Sequence, residues 1–98
     1  MKNIKSEEIE EIIANGAVVL DVRTEGEFSE GYIPRAINME IGEMSEEEIE
    51  KLDKEKTYLL YCRSGGRSSR AAQMLDFLGF KNVYNLEGGY MEWVKKNN

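Results

Sequence analysis

Short apolar runs alternate with segments of helical periodicity along this chain. Two of the runs, 17–20 and 57–61, are continuous, which is typical of strands buried on both faces of a sheet. Weaker strands are predicted at 36–39 and 82–84. Helices are predicted between the strands, at 6–14, 25–30, 45–52 and 67–78, with a last one that follows Gly88-Gly89 and runs through Val94.

Capping residues support these helices. Ser6 and Thr24 stand where N-caps are expected, and Ser45 with Glu48 forms an S-x-x-E capping box. Strands that alternate with helices in this way predict an α/β fold, a parallel sheet with helices on both faces. Because ligands of such sheets bind beyond the carboxyl ends of the strands, the residues after Leu20 and Tyr61 are candidates for a site.

The size and charge of the chain narrow the function classes. Its 98 residues, 41% of them apolar, predict one globular domain over 1–98. Thirteen basic and nineteen acidic residues leave a net charge of −6, which argues against nucleic acid or an anionic membrane as partner. The N-terminal residues lack the apolar region of a signal peptide, and no stretch approaches the roughly 18 apolar residues of a membrane helix. We therefore expect a cytoplasmic protein.

The chain has one cysteine and no histidine. A single cysteine forms no internal disulfide, and there is no Cys/His cluster to hold zinc or an iron–sulfur centre. The absence of histidine also removes Ser-His-Asp and Cys-His mechanisms. A cysteine nucleophile here would need activation by groups other than imidazole.

The loop after the second strong strand joins several features of an anion site. Cys62 follows the strand, Gly65 and Gly66 allow a tight turn, and a helix begins at about Arg67. Backbone N–H groups of the turn and of the helix N-terminus can therefore converge on the sulfur. A lone cysteine is more often a buried apolar residue, and two glycines are often only a turn. The coincidence of all these features at one cysteine favours a nucleophile.

Charge around Cys62 supports this interpretation. No acidic residue stands between Glu55 and Asp76, whereas four basic residues do: Lys56, Arg63, Arg67 and Arg70. Together with the backbone dipoles, this predicts a thiolate and a pKa of Cys62 below the ordinary value of roughly 8.5.

Four motifs, in order along nearly the whole chain, resemble those of rhodanese-like domains. They are Leu20-Asp21-Val22-Arg23 with Glu27-Phe28, then 31–38 (GYIPRAIN), then the loop 62–68 (CRSGGRS), and 86–89 (LEGG) with Trp93. Two positions depart from the family, which usually has His where Tyr32 stands and often Gly where Arg35 stands. These departures concern substrate preference, since neither is the nucleophile.

The resemblance implies a parallel sheet of about five strands and a sulfurtransferase that needs no metal and no organic cofactor. Cys62 would take sulfur from a small anionic donor such as thiosulfate, become a persulfide, and pass the sulfur to cyanide or a thiol. Arg63 and Arg67 would bind the donor and the persulfide together with the loop N–H groups, which belong to Ser64, Gly65, Gly66 and Ser68. Asp21 and Arg23, at the neighbouring strand end, have a possible supporting role, and an ion pair between Arg23 and Glu27 is an equally good reading.

Three alternatives stay open. A Cys-based phosphatase or arsenate reductase uses the same thiolate in an anion site, although the phosphatases carry C-x5-R and this loop is C-x4-R. A non-catalytic binding module would not need Cys62 and its arginines. A persulfide relay, in which a partner protein donates or accepts the sulfur, uses the same chemistry at Cys62.

Overall fold

The computed structural model describes residues 1–97, and its centre is a sheet of five parallel strands. The strands lie in the order β1-β5-β4-β2-β3. Their bounds are β1 Lys2–Ile4, β2 Val18–Asp21, β3 Ile37–Asn38, β4 Thr57–Tyr61 and β5 Asn82–Leu86. The predicted fold class, a parallel sheet flanked by helices, is confirmed.

Five α-helices accompany the strands: α1 Ile9–Ala14, α2 Glu25–Ser29, α3 Glu46–Ile49, α4 Gly66–Phe77 and α5 Gly89–Lys96. Short 3-10 turns cover 6–8 and 41–43. The longest helix, α4, has 12 residues. Within residues 1–97, none of the helices is long and apolar enough to cross a bilayer.

The side chains of β4 divide the interior into two cores. Tyr58, Leu60 and Cys62 belong to the core that α4 covers, and Leu59 and Tyr61 belong to the core on the other face. Alternation of this kind follows from the two-residue period of a strand. Since all five residues are at most 3% exposed, the continuous apolar run is explained by burial on both faces.

The N-terminal strand was missed by the sequence analysis. Lys2–Ile4 is short and polar, and only Ile4 of the three is buried. β1 pairs with β5 at the edge of the sheet, so no apolar periodicity marks it. The predicted helix 6–14 begins as a 3-10 turn instead, and the Ser6 hydroxyl bonds the side chain of Glu7 rather than capping the backbone.

The predicted N-cap Thr24 and the predicted capping box of Ser45 with Glu48 are present, and Thr24 also forms a capping box, with Glu27. Thr24 accepts a hydrogen bond from the N–H of Glu27, and Ser45 accepts one from the N–H of Glu48. The helix after Ser45 is shorter than predicted and ends at Ile49. The strand predicted at 36–39 shortens to Ile37–Asn38, and the one predicted at 82–84 extends to Leu86.

Candidate active site

The loop after β4 turns on one glycine rather than two. Gly65 has a φ of +103°, in the left-handed region that favours glycine, and it is the N-cap of α4. Gly66 is already the first residue of α4, and a Cβ there would meet no atom within 4 Å. Both glycines were predicted to form the turn, with the helix beginning at about Arg67, and this prediction was wrong for Gly66.

Neutral donors surround the sulfur of Cys62. The N–H of Gly65 lies 3.1 Å from Sγ, and the N–H and the hydroxyl of Ser68 each lie 3.4 Å from it. The residue is 1% exposed. Burial by itself would raise the pKa of Cys62, but hydrogen bonds from Ser68, Gly65 and Ser64 outweigh it and hold the pKa below the ordinary thiol value.

The N-terminus of helix α5 is hydrogen-bonded to the backbone of the loop. The N–H of Tyr90 donates to the carbonyl of Cys62 at 2.8 Å, and the N–H of Met91 donates to the carbonyl of Arg63 at 3.0 Å. Gly89, with a φ of +60°, makes this approach possible, because a Cβ there would lie 2.7 Å from the carbonyl oxygen of Cys62. The glycines of the 86–89 motif therefore bring the N-terminus of α5 onto the loop backbone.

The arginines of the loop have hydrogen-bond partners other than the sulfur. Arg67 is exposed and makes two parallel hydrogen bonds to the carboxylate of Glu27, at 2.9 and 3.0 Å. This pairing lowers the pKa of Glu27 to about 2, so the carboxylate is charged at any ordinary pH. The Nε of Arg63 lies 3.3 Å from Sδ of Met91. The hydrogen bonds that lower the pKa of Cys62 thus come from the backbone and Ser68, and the local excess of positive charge read from the sequence is partly cancelled by Glu27.

Asp21 and Arg23 form a buried ion pair beside the loop. Arg23 donates to Asp21 at 2.6–3.0 Å and to the carbonyl of Gly31 at 2.7 Å, and its guanidinium lies 4.4 Å from the centre of the Tyr90 ring. The side chain of Arg23 is 5% exposed and that of Asp21 is 0% exposed. The suggested ion pair between Arg23 and Glu27 was wrong, because each of them binds another partner.

Two clefts flank the loop. One, of about 490 Å³, is lined by charged residues that include Arg23, Glu27 and Arg63 and by apolar side chains such as Met91 and Val94. The other, of about 390 Å³, lies along α4 and includes Arg67 and Met74 in its lining. Cys62 lines neither of these two.

A comparison with known families decides the class of this fold. The model of the rhodanese-like domain family matches residues 5–96. The chain belongs to the rhodanese-like domain family.

Individual relatives of this rhodanese-like chain agree. YtwF of Bacillus subtilis is 47% identical over 75 residues, which are 76% of this chain and 71% of YtwF. The thiosulfate sulfurtransferase GlpE of Coxiella burnetii is 41% identical over 76 residues, 78% of this chain and 70% of GlpE. The structure of the human single-domain sulfurtransferase TSTD1 superimposes with a TM-score of 0.84 at 26% identity and covers 100% of this chain and 99% of that one.

The two departures from the rhodanese-like pattern have structural counterparts. Arg35 has a φ of +76°, which explains why a glycine suits this position. Tyr32, 48% exposed, stacks on Phe28 with ring centres 4.2 Å apart.

Two residues next to the loop were not recognised as site residues from the sequence. Glu27 was named only as part of a motif and as an ion-pair partner of Arg23, and its actual partner Arg67 is 40 residues away. Asn85 was not singled out at all, yet its Oδ1 lies 2.6 Å from the Ser68 hydroxyl. Asn85 is 3% exposed, and a buried polar side chain on a strand is the one signal that could have indicated it.

Proposed function

We propose that this chain is a sulfurtransferase that carries sulfane sulfur on Cys62. The donor is a small anion such as thiosulfate, and the acceptor is cyanide or a thiol. The family to which the chain belongs and the sulfurtransferase names of GlpE and TSTD1 support the activity class. Cys62 is the only cysteine, so it is the one nucleophilic thiol that the chain offers.

In the first step the Cys62 thiolate attacks the outer sulfur of thiosulfate. A new S–S bond forms at Sγ, the S–S bond of the donor breaks, and sulfite leaves with the electron pair. The negative charge moves from Sγ to the terminal sulfur of the persulfide. In the second step cyanide attacks that terminal sulfur, thiocyanate leaves, and the thiolate of Cys62 is regenerated.

The observation that carries the proposal is the set of N–H groups directed at Sγ. Gly65 and Ser68 donate from the backbone, at 3.1 and 3.4 Å, and their dipoles need no reorientation when charge develops. They favour the thiolate that attacks, and they can favour the persulfide sulfur that follows. The loop residues Ser64, Gly66 and Arg63 would complete the site around the donor.

The direct test is mass spectrometry of the intact protein after incubation with thiosulfate. We expect the mass of one added sulfur atom on Cys62, removed again by cyanide with release of thiocyanate. The rate of persulfide formation should rise with pH and level off below the ordinary thiol pKa of roughly 8.5, because the folded protein favours the thiolate. A protein that gains no sulfur from thiosulfate would refute the small-anion donor.

A persulfide relay is the second candidate, and the pairing of Arg67 with Glu27 favours it. Because Glu27 already occupies the guanidinium, a dianion such as thiosulfate has to displace a carboxylate before it can bind there. A persulfide on a partner protein brings less charge to the site. Loading by a cysteine persulfide that is much faster than loading by thiosulfate would support the relay.

Phosphoryl transfer is the weaker alternative at the same loop. The four residues between Cys62 and Arg67 make a shorter ring of N–H groups than C-x5-R, and a phosphate needs donors for several oxygens. We expect negligible hydrolysis of aryl phosphates, measured beside sulfur transfer in one preparation. Phosphatase turnover that exceeds sulfur transfer would reverse the assignment.

A further inference from the structure

The hydroxyl of Ser68 has more acceptors around it than it can serve. It lies 2.6 Å from Oδ1 of Asn85, 3.2 Å from the carbonyl oxygen of Gly65 and 3.4 Å from Sγ of Cys62. A hydroxyl carries one proton and donates one hydrogen bond well. Ser68 is fully buried, so water does not relieve this competition.

The distances indicate where the proton points. A separation of 2.6 Å suits an O–H···O bond and is shorter than N–H···O bonds usually are, so Asn85 presents its oxygen to Ser68. The other half of the amide agrees, because Nδ2 of Asn85 donates to Oδ1 of Asn3 at 2.9 Å. The Ser68 hydroxyl therefore donates its hydrogen bond to Asn85 and not to the sulfur.

A change of charge at the sulfur alters this competition. Hydrogen bonds to an anion are roughly twice as strong as those between neutral groups, so a thiolate at Cys62 draws the Ser68 hydroxyl to itself. When sulfur is loaded, Sγ becomes a neutral bridging atom and the charge moves outward. The buried hydroxyl then needs another acceptor, and Asn85 is in place for it.

We propose that Asn85 is a positioning residue for the chemistry at Cys62: its side-chain oxygen accepts the hydrogen bond of the Ser68 hydroxyl while Sγ is uncharged, and the hydroxyl donates to Sγ instead when Sγ is a thiolate. The part that concerns the loaded form rests on the proposed sulfurtransferase function. The part that concerns the thiol and the thiolate does not.

The side chain of Asn85 is fixed in the orientation that this positioning role requires. It lies on β5 between β1 and β4, where its backbone is level with Asn3 on one side and Leu60 on the other. Both ends of its amide are bonded, to Ser68 and to Asn3. Among residues 1–97, no buried side-chain nitrogen or oxygen lacks a hydrogen-bond partner. A side chain bonded at both ends keeps its orientation while the Ser68 hydroxyl rotates.

The charged side chains around the loop have other hydrogen-bond partners and donate none of the hydrogen bonds that Sγ of Cys62 accepts. Arg67 of α4 is paired with Glu27 of α2, and Asp21 of β2 is paired with Arg23. Arg63 lies against a methionine sulfur. The hydrogen bonds that Sγ accepts all come from neutral donors, so a change in one of them should be measurable.

The test replaces Asn85 by leucine and measures alkylation of Cys62 by iodoacetamide, a neutral reagent, as a function of pH. Without the acceptor on Asn85 the Ser68 hydroxyl is left with the sulfur and the carbonyl oxygen of Gly65 as acceptors. We expect the pKa of Cys62 to fall and the rate well below the midpoint to rise roughly threefold, because formation of the thiolate no longer breaks a bond between Ser68 and Asn85, while the charge-assisted bond from Ser68 to the thiolate is kept. Asn82→Leu, the same change at an exposed position of β5, is the matched control and should leave the profile unchanged.

The double variant Ser68→Ala/Asn85→Leu separates positioning from a general structural effect. If Asn85 acts through the Ser68 hydroxyl, the double variant has the alkylation profile of Ser68→Ala alone. A shift that persists without Ser68, or a pKa of Cys62 that rises or stays the same in Asn85→Leu, would overturn the proposal. Asn85→Val, with a side chain that suits a strand, replaces leucine if that variant does not fold.

Alkylation keeps this outcome independent of the proposed function. Iodoacetamide reacts with the thiolate whether or not the protein transfers sulfur. A wild-type protein that takes no sulfur from thiosulfate would refute that donor, while the alkylation profiles would still decide the role of Asn85.

Discussion

Two neighbouring strand ends of this sheet handle charge in opposite ways. After β2, Asp21 and Arg23 bury two full charges and satisfy each other by side-chain hydrogen bonds. After β4, Cys62 is surrounded by neutral N–H and hydroxyl groups, and Arg67 turns outward to Glu27. The two ends are adjacent, because Asp21 pairs with Tyr61.

This difference indicates a structural role for the ion pair of Asp21 with Arg23 and a chemical role for the loop after β4. A buried ion pair is desolvated and holds its elements rigidly, so its partners are not free to bind a substrate. Backbone N–H groups already belong to the fold and stabilise a new anion without another charged side chain. We therefore expect changes after β2 to act mainly on stability and changes after β4 to act mainly on reactivity.

The largest effect is expected from Cys62→Ser. Sulfur transfer from thiosulfate to cyanide should fall to the uncatalysed background, since serine lacks the thiolate that would carry the sulfur. Urea unfolding should show a stability close to that of the wild type. Substantial transfer by this variant would remove Cys62 from the mechanism.

Asp21→Asn should give the largest loss of stability. It leaves the buried charge of Arg23 uncompensated, and breaking a buried pair costs about 3–5 kcal/mol. Urea unfolding measures the loss. Glu55→Gln, which breaks an exposed pair with Lys81, is the control and should cost about 0–1 kcal/mol. Similar costs for the two variants would mean that the buried pair has no special structural role.

The two adjacent glycines of the loop offer a matched comparison. Gly65→Ala should cost about 1–2 kcal/mol, because alanine resists the left-handed conformation of this N-cap. It should also raise the pKa of Cys62 by moving an N–H away from the sulfur. Gly66→Ala should leave the pKa unchanged and the stability equal or up to about 1 kcal/mol higher, because Gly66 is helical and has space for a Cβ.

Unfolding and alkylation of both glycine variants check this prediction. If Gly65→Ala and Gly66→Ala changed the stability and the pKa of Cys62 equally, the left-handed conformation of Gly65 would have no special role at the site.

The smallest effect is expected from Glu27→Gln. Glutamine still closes the capping box with Thr24 but releases the charge of Arg67 for an anionic donor. The KM for thiosulfate should fall roughly two- to fivefold, in line with the up to about 1 kcal/mol of an exposed ion pair. Glu25→Gln, on the same helix, is the control. An unchanged KM would show that Arg67 does not bind the donor.

Much of the fold could be predicted because its signals are local. The continuous apolar runs of β2 and β4, the helical periods and the capping boxes at Thr24 and Ser45 each depend on residues a few positions apart. From these follow the parallel sheet and the position of Cys62 at a strand end before a helix. The sequence by itself determined where the proposed nucleophile, Cys62, lies in the fold.

The tertiary structure decided which groups meet that nucleophile. Glu27 and Arg67 are 40 positions apart, and Asn85 reaches Ser68 only because β5 lies between β1 and β4. The order of the strands brings distant side chains together, and it depends on contacts between residues far apart in the sequence. For the same reason the positive charge counted along the chain did not describe the site: its neutralising carboxylate came from another element, and the hydrogen bonds to the sulfur came from the backbone and Ser68.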